Sequence, residues 1–184
     1  MILPAIREFK DIERFNKLDY STCVVLDTHI GHLTNILDLL KASGKKAYIH
    51  IDLIKGLSGD EAAVEFIVQK YKPEGIVSTK PKLIKRGSQL GVKTILRVFI
   101  LDTMALKRSF TLIQQADPDY VEVLPGIASK VINEVKANSH KPIIAGGLIE
   151  TVAEVEAAIA HGAELITTSN KDLWKHYEQS KKFI

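Results

Sequence analysis

Eight short apolar runs, separated by amphipathic stretches of helical period, constrain this chain more than any other feature of it. They are ILPAI (2–6), CVVLD (23–27), AYIHID (47–52), GIVS (75–78), TILRVFI (94–100), YVEVL (120–124), PIIAG (142–146) and ELITT (164–168). Each is too short for a helix and rich enough in apolar and β-branched residues to read as a buried parallel strand. Between them, Leu33, Ile36, Leu37 and Leu40 recur at spacings of three and four, as do Val152, Val155 and Ile159, which predicts helices with one apolar stripe. Ser58-x-x-Glu61 and Thr151-x-x-Glu154 have the spacing of a capping box, so helices are predicted to start there. Gly44, Gly91 and Gly162 each fall just before a strand and read as helix stops, and Lys-Pro or Asp-Pro pairs at 72–73, 117–118 and 141–142 punctuate the same kind of turn. Local pattern alone fits an open doubly wound sheet as well as a closed one. The count of eight, with no run patterned as an exposed edge, predicts a compact TIM-type (β/α)8 barrel with short loops, a single domain over residues 1–184. The weakest strand is the first, because Pro4 removes a ladder donor.

Composition narrows the functional classes. The chain has 46% apolar and 26% charged residues and a formal net charge of +3, a mildly basic balance that permits an anionic partner without demanding one. One cysteine, Cys23, lies in an apolar run, which excludes an intrachain disulfide and any cysteine-based zinc site. The N-terminus lacks the pattern of a signal peptide, and no apolar run reaches the roughly 20 residues that span a bilayer. A soluble, cytoplasmic protein with no membrane partner is expected.

The strand ends carry the chemistry. Alternation along AYIHID turns Ala47, Ile49 and Ile51 toward the helices and Tyr48, His50 and Asp52 into the barrel. The same reasoning aims Asp27, Arg97 and Glu122 inward, with His29 just past its strand. Ionisable groups then converge near the C-terminal ends of four strands, where sites of this fold lie. They read either as a ligand site or as an internal ion-pair layer. In the seventh and eighth strand turns, Gly146 and Gly147 permit close backbone approach, and Thr168, Ser169 and Asn170 open the last helix. These two turns form the usual phosphate site of the fold. The loop LIKGLSGDE (53–61), with Lys55, Gly56 and Gly59, reads as a lid or as a plain loop. Lys80, Lys82, Lys85 and Arg86 form a basic cluster without an RNA-binding consensus or an aromatic ladder. No spacing of His29, His50, Asp27 and Asp52 is diagnostic of a metal.

KKAYIHIDLIKGLSGDE, GIVSTK, DPDYVEVLPGI, PIIAGGLI and ITTSNKDLW, in this order, resemble the glycerol uptake operon antiterminator regulatory proteins, and the resemblance covers nearly the whole chain. It implies a regulator, not an enzyme, that responds to glycerol 3-phosphate and acts on the leader mRNA of a glycerol operon to prevent premature termination. It implies no cofactor beyond that effector. The phosphate would lie at Gly146, Gly147, Thr168, Ser169 and Asn170, and the hydroxyls near His50, Asp52, Arg97, Asp27 and Glu122. A looser likeness of YVEVLPG to glycerol-phosphate-binding prenyltransferase barrels adds Tyr120. RNA phosphates would meet Lys80, Lys82, Lys85 and Arg86, an assignment made on charge alone. Two readings stay open beside it: a barrel enzyme (isomerase, aldolase or transferase) acting on a small phosphorylated metabolite, and an interaction protein without a small ligand. Monomer and homo-oligomer are equally compatible with the sequence.

Overall fold

The computed structural model describes residues 2–179, and the apolar runs form the strands their length predicts. In chain order the strands are β1 (Ile2–Ile6), β2 (Thr22–Val25), β3 (Thr28–His29), β4 (Lys46–His50), β5 (Ile54–Lys55), β6 (Gly75–Ser78), β7 (Lys93–Phe99), β8 (Tyr120–Leu124), β9 (Ile143–Gly146) and β10 (Ala163–Thr168). The helices are α1 (Phe9–Asn16), α2 (Ile30–Ala42), α3 (Glu61–Tyr71), α4 (Pro81–Gln89), α5 (Thr103–Ala116), α6 (Ser129–Ser139), α7 (Val152–Ala160) and α8 (Lys171–Gln179). Eight strands close into a parallel barrel in the order β1-β10-β9-β8-β7-β6-β4-β2, and β3 and β5 form a separate two-stranded ribbon over its rim. Closure leaves no barrel edge unpaired, because β1 pairs with both β10 and β2. Pro4 does not break its strand: it is buried, opposite Thr168, whose carbonyl accepts the indole N–H of Trp174 at 2.8 Å.

Strand parity sorts two apolar layers. Leu3, Ala5, Val24, Leu26, Tyr48, Val77, Ile95 and Ile144 pack inside the barrel. Their neighbours in sequence, such as Cys23, Ile49, Ile76 and Ile143, face the helices. Each fully buried aliphatic side chain contributes about 1.5–3 kcal/mol, so the two layers together hold the strands in register.

Helix punctuation follows the sequence in most places. Thr151 and Glu154 form a reciprocal capping box. Gly44, Gly91 and Gly162 all take positive φ, and Lys72, Asp117 and His140 adopt left-handed conformations before the proline turns. Three expectations need correction. Helix α3 is capped by Asp60, which accepts from the Ala63 N–H at 2.9 Å, and not by Ser58; Asp60 directly precedes the first helical residue, whereas Ser58 is two positions further upstream. The run AYIHID is a strand only as far as His50; Ile51–Leu53 turn as a 3-10 helix, so Asp52 sits on the rim. Asp27 is exposed and does not point into the barrel, because Val24 and Leu26 hold the inward parity and β2 ends at Val25. Among the described residues, no helix is long and apolar enough to cross a membrane.

Candidate functional site

A polar layer closes the upper end of the apolar interior. Arg97 on β7 and Glu122 on β8 are register partners, and the Arg97 Nε donates to Glu122 Oε2 at 2.7 Å. The second carboxylate oxygen accepts the hydroxyl of Thr167 on β10. Both members of the ion pair are buried, with side chains 9% and 2% exposed, so each depends on the other for the charge stabilisation that water would otherwise supply. Gly146 lies on β9, between the strands of Glu122 and Thr167, and is paired with Thr167. A Cβ there would stand 2.7 Å from Glu122 Oε1 and collide with the Thr167 hydroxyl. Glycine at 146 is therefore required for room, not for a turn. The turn is made by the next two residues, Gly147 at φ 76° and Leu148 at φ 60°. A left-handed leucine costs on the order of 1–2 kcal/mol, the kind of local strain that clusters at binding sites.

Above this layer opens a cavity of about 300 Å³, bordered by Arg7, Arg97, Glu122, Thr167, Gly147 and Ser169. That volume lies at the small end of the roughly 300–1,000 Å³ typical of small-molecule sites. The Gly126 N–H takes the carbonyls of Gly146 and Gly147, at 2.6 and 3.1 Å. Among the described residues, the N–H groups of Leu148 and Ser169 have no hydrogen-bond partner in the protein, and Arg7 makes no ion pair. Arg97 uses only its Nε, leaving its two terminal nitrogens available. The wall thus combines two guanidinium groups, unpaired backbone donors and the start of α8 on one side, with a fixed carboxylate and a hydroxyl on the other. Donors of this kind take an anion, and Glu122 accepts from hydroxyls.

Thr168 and Asn170 play largely structural parts. The Asn170 N–H donates to Thr168 Oγ1 at 3.1 Å, and Asn170 Oδ1 accepts from the Asp172 N–H at 2.9 Å, capping α8. Its Nδ2 donates to the Glu150 carbonyl at 3.1 Å, tying the two phosphate-type turns together. Of the backbone donors expected at Gly146, Gly147, Ser169 and Asn170, only that of Ser169 is without a partner among the described residues, and Leu148 adds a second.

Other expected site residues stand apart from this cavity. His50 points inward on β4 but is 1% exposed, and both ring nitrogens lack partners among the described residues. Burial, reinforced by the positive charge of Arg97, pulls its pKa down to about 4, so it is neutral at pH 7. Burial raises the pKa of Asp52, but hydrogen bonds from the Thr79 N–H and from the Ser78 and Thr79 hydroxyls more than offset it, leaving the carboxyl below its usual value. Asp52 serves the β6–α4 turn. Tyr120 borders a separate cavity of about 200 Å³ at the opposite end of the barrel, with Tyr48 and Lys93, one turn of the pleat below Glu122. Asp27 pairs with Lys55 at 3.3 Å on the rim, and His29 caps α2 by accepting from the Gly31 N–H.

The segment expected as a lid is anchored at several points. Lys55 belongs to the ribbon paired with Thr28–His29, Gly56 packs against Ile30, and the Gly59 carbonyl accepts from Lys80 Nζ at 3.1 Å. Most of the expected basic cluster is likewise engaged: Arg86 with Glu65 at 2.8 Å and Lys82 with Glu61 at 3.7 Å, which leaves Lys85 exposed without an ion pair among the described residues. Sequence reasoning missed Arg7, Thr167 and Leu148. Arg7 is the first polar residue beyond β1 and Thr167 has the inward parity of β10, so the rule that led to Arg97 also leads to them.

The family model of the glycerol-3-phosphate responsive antiterminators matches residues 2–174. The glycerol uptake operon antiterminator regulatory protein of Listeria monocytogenes str. 4b F2365 superposes with a TM-score of 0.92 at 40% identity, covering 95% of this chain and 94% of that one. A glycerol uptake operon antiterminator-related protein of Thermotoga maritima MSB8 superposes with a TM-score of 0.83 at 32% identity, covering 95% and 97%. YgcP of Escherichia coli (strain K12), an uncharacterized protein, is 32% identical over 174 residues, 93% of this chain and 91% of that one. With the whole barrel and its mouth inside the matched span, the chain belongs to the glycerol-3-phosphate responsive antiterminator family.

Proposed function

We propose that the mouth cavity binds glycerol 3-phosphate and that the protein, so loaded, acts on the leader RNA of a glycerol operon to prevent premature termination. The observation that carries the effector half is the division of the cavity wall. Arg7, Arg97 and the unpaired N–H groups of Leu148 and Ser169 suit a phosphate, and Glu122 beside them suits the hydroxyls. Family membership supports the RNA half. The residues placed for acid–base chemistry favour binding over turnover. Glu122 is held by both oxygens, and His50 is sealed in the interior away from the cavity. A general base needs hydrogen-bond reach to the proton it removes, which His50 lacks; Glu122 reaches the cavity as an acceptor held in one orientation by Arg97 and Thr167. No cofactor enters this scheme.

Transcription through the leader terminator of a glycerol operon tests the reading as a whole. Read-through should rise when protein and glycerol 3-phosphate are both present, and with neither alone. Consumption of glycerol 3-phosphate by the protein, with read-through unchanged, would instead establish the enzyme reading.

A further inference from the structure

Beside the effector cavity, between the end of β7 and the start of α5, runs a groove of about 490 Å³. Arg97 borders both spaces. Unusually for a rim, the surface here is apolar: Phe99 is 53% exposed, Leu101 85% and Met104 72%. Leu101 lies two residues past the strand, while Phe99 and Met104 line the groove together with Arg108. Exposed aromatic and thioether side chains in one patch mark a recognition surface.

The charges identify the occupant. Arg108 is exposed and, among the described residues, makes no ion pair; Lys107 beside it is also exposed and unpaired. The one carboxylate in the groove, Asp102, is occupied as the cap of α5, accepting from the Ala105 N–H at 2.7 Å. The groove therefore joins an exposed aromatic ring and a thioether to the unpaired guanidinium of Arg108. An unstacked nucleotide matches it, with its base on Phe99 and Met104 and its phosphate on Arg108.

We propose that this groove holds an unpaired nucleotide of single-stranded RNA, and that Arg97 couples its occupancy to that of the effector cavity. This rests on the antiterminator reading for the source of the RNA, but the site itself is defined by its own side chains. A ligand phosphate on the terminal nitrogens of Arg97, which make no hydrogen bond in the protein, would hold the side chain that borders both spaces. Effector and RNA would then strengthen each other's binding by equal factors, as linkage requires.

The test measures binding of a leader RNA and of a short unstructured oligoribonucleotide, with and without glycerol 3-phosphate, to the wild type, Phe99→Ala and Arg108→Gln. Phe99→Ala should weaken both RNAs about ten-fold. Arg108→Gln should weaken them similarly and reduce the dependence of affinity on salt by roughly one phosphate contact. Both variants should keep the thermal midpoint and its shift with glycerol 3-phosphate, since neither residue lines the effector cavity. Phe99-dependent binding of the oligonucleotide without preference for the leader would sink the antiterminator reading and uphold the groove. Wild-type affinity in both variants, or no binding of either RNA by the wild type, would overturn the groove. So would a change in sedimentation from dimer to monomer in Phe99→Ala with RNA affinity intact, which would make the patch a self-association surface.

Discussion

Replacing Arg97 by Met keeps much of the apolar stem but removes the guanidinium from a carboxylate that is 2% exposed. Glu122 would then rely on the Thr167 hydroxyl alone. Breaking a buried pair by deleting one partner costs about 3–5 kcal/mol, because the orphaned charge has lost its compensation and cannot regain water. For a chain of this length each kcal/mol moves the thermal midpoint by about 2–4 °C, so a fall of roughly 10 °C is expected. Glu122→Gln alone should cost less, since the amide still accepts from Arg97 and the remaining guanidinium lies at the mouth. The double variant should be more stable than the sum of the singles by about 1–3 kcal/mol. Thermal denaturation followed by circular dichroism at low and at high salt measures all four corners of the cycle. The coupling should survive 1 M salt, which screens exposed pairs and spares buried ones. A midpoint loss below about 2 °C for Arg97→Met, or strict additivity of the two substitutions, would refute the claim that this pair organises the mouth.

Two further predictions separate structural from functional parts of the same region. Gly146→Ala introduces a Cβ into the Glu122–Thr167 contact and should cost about 1–3 kcal/mol while abolishing the midpoint shift with glycerol 3-phosphate. Gly147→Ala, where the cost is the positive φ, should lose about 1–2 kcal/mol and keep the shift. Equal loss of response in both would show that Gly146 does not act through the polar layer. His50 predicts the pH dependence: its folded pKa of about 4 lies below the unfolded 6.5, so its neutral form contributes stability above pH 6.5 that is lost as pH falls toward 4. The gap corresponds to about 3 kcal/mol. Urea denaturation between pH 7 and pH 4 should show that slope in the wild type and a flatter one in His50→Gln; identical slopes would contradict it.

What the sequence disclosed follows from where each residue stands relative to a regular strand. Arg97 and Glu122 lie inside β7 and β8, where alternation is enforced by pairing on both sides, and parity placed them correctly. Asp27 and Asp52 each lie two residues past their strands' ends, where pairing stops and parity with it. The capping residue of α3 was misplaced for a similar reason: Ser58 and Asp60 both offer an acceptor, and only the path of the chain between them decides which one reaches the Ala63 N–H. The purpose of Gly146 depends on cross-strand register with Thr167 and on the direction of Glu122, contacts 21 and 24 residues away in sequence. Tyr120 and Glu122 share one inward face, yet the barrel interior between its two ends is filled by side chains, so the two residues serve different cavities. Local pattern carries direction; it does not carry depth.

The measurement closest to the central claim is a thermal-shift titration of the wild type with glycerol 3-phosphate, with glycerol and inorganic phosphate as controls and Arg7→Ala in parallel. At about 100 times its dissociation constant the effector should add roughly 2.7 kcal/mol, a rise of about 5–10 °C at this chain length. Glycerol should leave the midpoint unchanged, phosphate should raise it only at far higher concentration, and Arg7→Ala should require markedly more effector for the same shift. A midpoint indifferent to saturating glycerol 3-phosphate, or one that inorganic phosphate raises equally at equal concentration, would contradict the account of the mouth as a glycerol 3-phosphate site.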